Sequence, residues 1–521
     1  MQGKGRERTL GRLRQVFTGS AFYSARMSEL PERADTLIIG GGTTGAALAG
    51  LLAERSSVSI VVLEAGPDFG PHSGGGWPRD VLDATWLAES HQLGYASDDG
   101  YRGRRIEFPR AAMIGGCSSH NGCAAIWGSA HDYDALAAAG GEGWSRTEAE
   151  PLLREASERM RVRIPDEHEL PPFQRAALAS LVALGVPRVR DLNDLDADTG
   201  VAPSPANIAG GVRWNSALAY LDPVRDRPSL RICGGVRVER LGIARGRVFG
   251  AVVRCDGEEL AVMAGRVIVC AGAYDSPALL LRSGLGPADD LRALGIPVVA
   301  DLPGVGANLH DHPALELGYG GTPALRDLCG AHSASGAFAP IEGVIAKMRS
   351  HQCAAEGFDL HVYPVGGVVA DGCEFWLPAA CMTPRSRGSV RLARADGAHP
   401  PVLDHAYLSD AEGHDRAVLR DGVEIARELA RSGPFGDLLG EELAPTAGLC
   451  AGAAVDAALT HYYHPAGTCA IGSVVDARLR VHGVEGLHVA DCSVFPVVPR
   501  ANTCLPAVLV AHRLADWLAP R

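Results

Sequence analysis

The residues with the plainest chemical purpose are Gly40, Gly42, Gly45 and Glu64, within the stretch ADTLIIGGGTTGAALAGLLAERSSVSIVVLEAG from Ala34 to Gly66. A G-x-G-x-x-G spacing cradles phosphate when a strand enters it and a helix leaves it. Gly40 allows the sharp turn, Gly42 has no side chain to block a pyrophosphate, and Gly45 lets the helix pack closely on the strand. Thr43 and Thr44 open that helix, whose free N–H groups and partial positive charge suit a diphosphate. Glu64 follows Gly45 by nineteen residues. A carboxylate there accepts hydrogen bonds from ribose hydroxyls and repels a 2′-phosphate.

The elements that must hold these groups follow from the apolar pattern. Thr36–Ile39 and Ser59–Leu63 read as strands joined by an Ala/Leu-rich helix through Glu54, which makes a βαβ unit. Strand patterns return at Leu230–Ile232, Val236–Ile243, Val248–Cys255 and Val267–Cys270. The last runs through Ala271-Gly272-Ala273 into a helix at Pro277–Ser283, which suits another edge of the same sheet. Helices are predicted at Asp132–Ala139 and Arg146–Arg161, and an irregular excursion at Pro67–Arg105. Between Pro313 and Thr460, alternating segments such as Phe358–Tyr363 and Gly388–Leu392, with a helix at Ala411–Ala430, predict an antiparallel sheet with helices. The chain then returns with a strand, Leu487–Ala490, and a last helix, Pro506–Leu518.

The fold class expected is α/β (α+β overall): a Rossmann-like nucleotide-binding domain carrying an inserted substrate domain. The nucleotide-binding part is assigned to 33–145, 225–312 and 461–521. The substrate-facing part is assigned to 146–224 and 313–460, and residues 1–32 to a flexible basic extension.

A chain of 521 residues exceeds one simple core, so two bodies are the prior. Its 49 basic residues against 61 acidic ones give a net charge of −12, which argues against nucleic acid. No run approaches the ~20 apolar residues of a membrane span. Thirteen cysteines occur without a C-x-x-C pair. Scattered thiols point to a reducing, cytoplasmic compartment and to no metal site. Gly304-Val305-Gly306 lacks a third glycine and a helix start, so it is a turn. One nucleotide cofactor remains, and the substrate must exchange electrons with it directly. His120 stands in a glycine- and serine-rich loop behind Gly115-Gly116, a setting unlike core packing.

Further motifs join these. They are Gly272-Ala273-Tyr274-Asp275-Ser276-Pro277 closing with Ser283-Gly284-Leu285-Gly286, Leu302–Leu309 followed by Asp311-His312-Pro313, Tyr463-His464-Pro465-Ala466-Gly467-Thr468-Cys469, and Asp491…Asn502. Together they resemble the glucose–methanol–choline (GMC) oxidoreductases, FAD-dependent alcohol oxidases and dehydrogenases, over about Ala34 to Leu518. Within the family the likeness is nearest to choline oxidase. It is carried by Gly115-Gly116-Cys117-Ser118-Ser119-His120-Asn121 and by Pro384–Leu392.

The resemblance implies FAD, held by Gly40, Gly42, Thr43, Thr44, Gly45, Glu64, Gly115, Gly116, Ser119, His120, Asn121, Gly122, Val236, Ala271, Asp491 and Asn502. In members with histidine at the place of His120, the imidazole can be bonded covalently to the flavin 8α-methyl. His464 matches the catalytic histidine and Asn502 its partner. Histidine would take the hydroxyl proton of a primary alcohol while a hydride leaves for flavin N5, giving an aldehyde. His461 is read as a surface or supporting residue. The helix after Asn502 is expected to aim its positive end at the flavin pyrimidine ring.

Two departures bear on the substrate. Ala314 stands where choline oxidase carries a glutamate after Asp-His-Pro, with Glu316 two places on, and Gly122 replaces a small polar residue. Choline is therefore not expected. Ala111-Ala112 also replace a basic residue common in that loop. Oxygen is the expected electron acceptor, with a quinone- or protein-linked dehydrogenase as the alternative. A hydroxynitrile-lyase-type enzyme with structural FAD is a further alternative, and a homodimer is left open.

Overall fold

The computed structural model describes residues 30–520 apart from 256–257, 337–339, 354–356 and 370–371. The basic segment expected to be an extension therefore lies almost wholly outside the described residues. Seven strands form the first sheet. Its path runs Leu230–Cys233, Ile60–Leu63, Arg33–Ile39, Glu258–Val269, Arg247–Cys255, Arg237–Ala244, and Leu487–Val489 pairs with Glu258–Val269. Five strands, Leu230–Cys233, Ile60–Leu63, Arg33–Ile39, Glu258–Val269 and Leu487–Val489, pair in parallel, whereas Arg247–Cys255 and Arg237–Ala244 add an antiparallel hairpin. Leu37, Ile38, Val62, Val267 and Ile268 are almost fully buried, as a parallel sheet covered on both faces requires.

Glu258–Val269 lies in the middle of this sheet rather than at an edge. It is long enough to pair with the hairpin through its first half and with Arg33–Ile39 through its second. The stretch expected to be irregular also holds a hairpin, Tyr95–Tyr101 with Arg104–Phe108. Its strands alternate weakly and are rich in Arg and Asp, so the pattern does not announce them.

The second sheet has eight strands, antiparallel throughout. At its centre Pro313–Gly321 pairs with Gly372–Cys381 on one side. The helix His414–Ala430 covers this sheet and buries Val418, Leu419, Val423, Ala426 and Leu429. Gly422 lets it approach: a Cβ there would come within 2.8 Å of Ala379 Cβ.

The stretch 146–224, expected to face substrate as one piece, divides between the two cores. The helix Arg146–Arg159 buries Leu152, Leu153 and Ala156 in the core of the nucleotide-binding sheet, as does Tyr220. The helix Pro172–Ala183 and strand Gly200–Pro203 join the antiparallel sheet. Their apolar stripes look alike in sequence, and only the partner differs.

Candidate active site

The glycine turn behaves as its spacing demands. Gly40 has φ +94°, and a Cβ on it would lie 2.5 Å from the Cys270 carbonyl oxygen. Gly45 packs tighter still, with a Cβ position 1.9 Å from the Gly40 oxygen. Gly42 differs, because its nearest neighbours are 3.8 Å and 3.9 Å away. Protein packing does not exclude a side chain there; what would be obstructed is the cavity that Gly42 lines. Gly116 meets Gly42 from the opposite side, its Cβ position 2.6 Å from Gly42 Cα. The Ser118 N–H donates to Thr43 Oγ1 at 3.1 Å, which ties the two loops together.

Glu64 also lines the cavity, but its carboxylate already accepts from Gly41 N–H and Gly66 N–H, both at 2.8 Å. Burial raises its pKa and these hydrogen bonds oppose the rise. Each oxygen keeps a second lone pair for a ribose hydroxyl. Asp491 accepts from Gly272 N–H at 2.9 Å, Ser276 hydroxyl at 2.5 Å and Ser493 N–H at 2.8 Å. It holds the Ala271-Gly272 turn against the cavity.

One cavity of about 500 Å³ runs from Ile39, Glu64 and Val236 past Thr43, Thr44, His120 and Ala271 to His464 and Asn502. It gathers most of the expected site residues. Gly45, Gly115 and Ser119 stand behind its wall instead. The short 3-10 turn Gly116–Ser119 curls the Ser119 hydroxyl back to the Ile114 carbonyl at 3.3 Å, so it supports the loop. The first turn of the helix Cys504–Leu518 also reaches the cavity, through Thr503, Cys504 and Ala507.

The donor set suits a flavin dinucleotide. An open glycine cradle at a helix start, a carboxylate at the ribose distance and a buried, unpartnered His120 Nε2 share one space. Burial, aided by Arg213, lowers the His120 pKa to about 4, so the ring is neutral and nucleophilic at physiological pH.

At the far end, strand pairing brings two histidines together. Pro313 pairs with His461, the Tyr462 N–H donates to the His312 carbonyl at 3.0 Å, and Ala466 N–H donates to the His310 carbonyl at 2.8 Å. His312 Nδ1 thereby lies 2.9 Å from His464 Nδ1. Between these two residues Tyr463 takes φ +65°, a left-handed conformation that costs a non-glycine residue of order 1–3 kcal/mol. Arg110, which lines the cavity, steadies it by donating to the Tyr463 carbonyl at 3.0 Å. A basic group thus stands one place before Ala111-Ala112. The His464 N–H donates to Asp311 Oδ1 at 2.8 Å. Burial drives the His464 pKa well below its usual value, with His312 and Arg110 adding to the effect, and His312 falls to about 3.

His461 is not at the surface. It is buried against Phe108, with Nε2 on the Glu107 carbonyl at 2.8 Å and Nδ1 accepting from Tyr463 N–H at 3.2 Å. Both nitrogens are engaged, so it supports the turn that aims His464.

Several residues that line the cavity carried no sequence signal, namely Trp86, Glu342, Tyr363 and Tyr462. Glu316 shares a strand face with Ala314 and reaches the cavity, although Ala314 itself is packed away. An Asp-His pair ahead of a strand was the available pointer to His312.

Profiles described as GMC oxidoreductase match residues 34–314 and 384–511. The chain is 32% identical to an oxygen-dependent choline dehydrogenase of Rhizobium johnstonii, over 93% of this chain and 95% of that one. It is 31% identical to choline oxidase of Arthrobacter globiformis, over 93% and 94%. Among solved structures it is similar to pyridoxine 4-oxidase from Mesorbium loti, with TM-score 0.83, 27% identity and coverage of 93% and 99%.

Proposed function

The chain belongs to the GMC oxidoreductase family and is an FAD-dependent enzyme of alcohol oxidation, and on that premise we propose that His464 is the base that takes the hydroxyl proton. The observation that carries the proposal is the Nδ1–Nδ1 contact with His312. When His464 Nδ1–H donates and His312 Nδ1 accepts, the Nε2 lone pair of His464 is left for the alcohol. Burial keeps both rings neutral, which a base must be before the proton arrives. Asp311 fixes the backbone of His464. Asn502, at the same end of the cavity, offers its amide to the substrate oxygen as that oxygen gains negative charge.

The residues that would hold FAD are Gly40, Gly42, Thr43, Thr44 and Glu64 at the dinucleotide end, with Val236, Ala271, Gly116, Asn121 and Gly122 along the cavity. The group supplies the hydride acceptor when bound. His120 Nε2, neutral and without a hydrogen-bond partner, is our candidate for a covalent bond to it. We propose that 33–145, 225–312 and 461–521 serve the cofactor and 313–460 the substrate, with 146–224 shared between the two cores.

For the substrate we propose a primary alcohol, giving an aldehyde, with oxygen as the acceptor. Two of the relatives act on choline by name. Ala314, at the place of a substrate-holding glutamate, argues against choline here, and the walls Trp86, Tyr363, Tyr462 and Tyr463 favour an alcohol with an apolar or ring-bearing body. A cytoplasmic location is part of the same proposal. It rests on eleven described cysteines, none of them in a disulfide. No helix among the described residues is long and apolar enough to cross a membrane.

A panel of alcohols tests this reading, with hydrogen peroxide measured during turnover in air. Peroxide formed in step with aldehyde supports an oxidase. Turnover only with an added quinone or dye would make it a dehydrogenase, and a flavin that no alcohol bleaches would defeat the reading.

A further inference from the structure

Glu342 lies at the His464 end of the cavity and has no part in the steps above. It precedes the strand Val344–Met348, which fixes its backbone in the antiparallel sheet. Its Oε2 accepts from the Tyr462 hydroxyl at 2.9 Å and from Asn502 Nδ2 at 3.1 Å. Its Oε1 lies 3.1 Å from the place a Cβ on residue 122 would take. The carboxyl therefore fills the space that Gly122 leaves open. Asn502 Oδ1 is buried without a partner.

We propose that Glu342 is a positioning residue that orients the Asn502 amide toward the alcohol, in the space provided by Gly122. The inference rests on the reading of Asn502 as a substrate contact. An ionised carboxylate only accepts hydrogen bonds. It holds one N–H of Asn502 and the hydroxyl of Tyr462 at once, and so fixes the amide in one orientation. A protonated carboxyl gains a donor, which competes for Asn502 Oδ1 and turns the amide over. The proton on Glu342 and the orientation of Asn502 are thus one equilibrium.

The surroundings leave Glu342 free to titrate near neutrality. Burial raises its pKa to about 7, opposed only by the hydrogen bonds from Tyr462 and Asn502. The other titratable groups beside it are Tyr462, Tyr363, Tyr463 and Cys123, each with its pKa raised and so neutral here, and Glu316 in the same cavity, whose pKa burial also raises. His464, 4.5 Å from Tyr462 ring to ring, is neutral too. Asp311 is also raised to about 7, but it serves the His464 backbone, so variants at Glu342 separate the two.

The experiment compares wild type with Glu342→Gln, which keeps the shape and abolishes titration. In wild type the anaerobic rate of flavin reduction should rise with pH through about 7 as the carboxylate forms. In Glu342→Gln the rate should be about tenfold lower at pH 8 and lack that step, with KM within about twofold and flavin content unchanged. A second readout needs no turnover: infrared titration of the protonated-carboxyl C=O band. Of the bands lost near pH 7 in wild type, that of Glu342 should be absent in Glu342→Gln, while that of Asp311 remains. In Asn502→Ala the Glu342 midpoint should move up by about one pH unit, because the carboxylate has lost an N–H donor. A Glu342→Gln profile that keeps the step, or a midpoint unmoved by Asn502→Ala, overturns the inference. If His464→Ala stops reduction while Glu342→Gln changes nothing, this inference fails alone. If the infrared coupling is found but neither Asn502→Ala nor His464→Ala slows reduction, the orientation stands and the catalytic reading falls.

Discussion

His464 and His312 meet Nδ1 to Nδ1 at 2.9 Å, so one hydrogen must lie between two neutral imidazoles. Which ring carries it decides whether His464 has a free lone pair at Nε2. His312 favours the basic tautomer only as an acceptor.

Removing that acceptor should therefore slow chemistry without removing the base. His312→Ala is expected to lower the rate of flavin reduction by about 10- to 100-fold, the worth of one hydrogen bond to a group that becomes charged (~1.5–3 kcal/mol). KM and flavin content should change little. His312→Gln, which keeps an acceptor, should recover part of the loss. A rate for His312→Ala equal to wild type would mean that the contact does not govern the tautomer.

The glycine turn separates folding from cofactor binding. Gly42→Val should fold, because the nearest atoms to its Cβ position are 3.8 Å away, yet purify without yellow colour. Gly45→Ala should fail earlier, with loss of soluble protein or a large fall in Tm, since its Cβ position is 1.9 Å from the Gly40 oxygen. Absorbance spectra and thermal melts distinguish the two outcomes. A yellow Gly42→Val protein would place the dinucleotide elsewhere.

How much of this was legible in sequence depends on the range of the interaction. The turn at Gly40–Gly45 and the strands beside it are local, and the glycine spacing with its flanking apolar runs specifies them. The hairpin at Tyr95–Phe108 was missed because its strands carry charge on both faces. The division of 146–224 was invisible because Leu152 and Leu178 are equally apolar and differ only in the sheet they meet. At the site, His464 and Asn502 came from the family likeness. His312 and Glu342 reach them through pairings across more than a hundred residues, which no local pattern records.

For His120, the expected outcome is colour that survives denaturation. Acid precipitation of wild type should leave flavin in the pellet, and His120→Ala should release it to the supernatant. Colour released from wild type would leave His120 as a hydrogen-bonding or packing residue.

The buried imidazoles set the acid limit of stability. His310 and His312 lie at about 3, and His120, His461 and His488 at about 4, all because of burial. Between those values and the free value near ~6.5, the unfolded chain binds more protons, so stability rises with pH through that window. Asp311 and Glu342, raised to about 7, act in the opposite sense from ~4 upward. Five histidines outweigh two carboxyls, and Tm should be higher at about pH 6.5 than at about pH 4.5. A flat or inverted profile from thermal melts would contradict the neutral burial of these rings.

The most direct measurement is anaerobic stopped-flow reduction of the flavin by an alcohol substrate, in wild type and in His464→Ala. A loss of about 10² to 10⁴ in the reduction rate, with flavin content kept, is the predicted result. A loss below about tenfold would show that another group takes the proton.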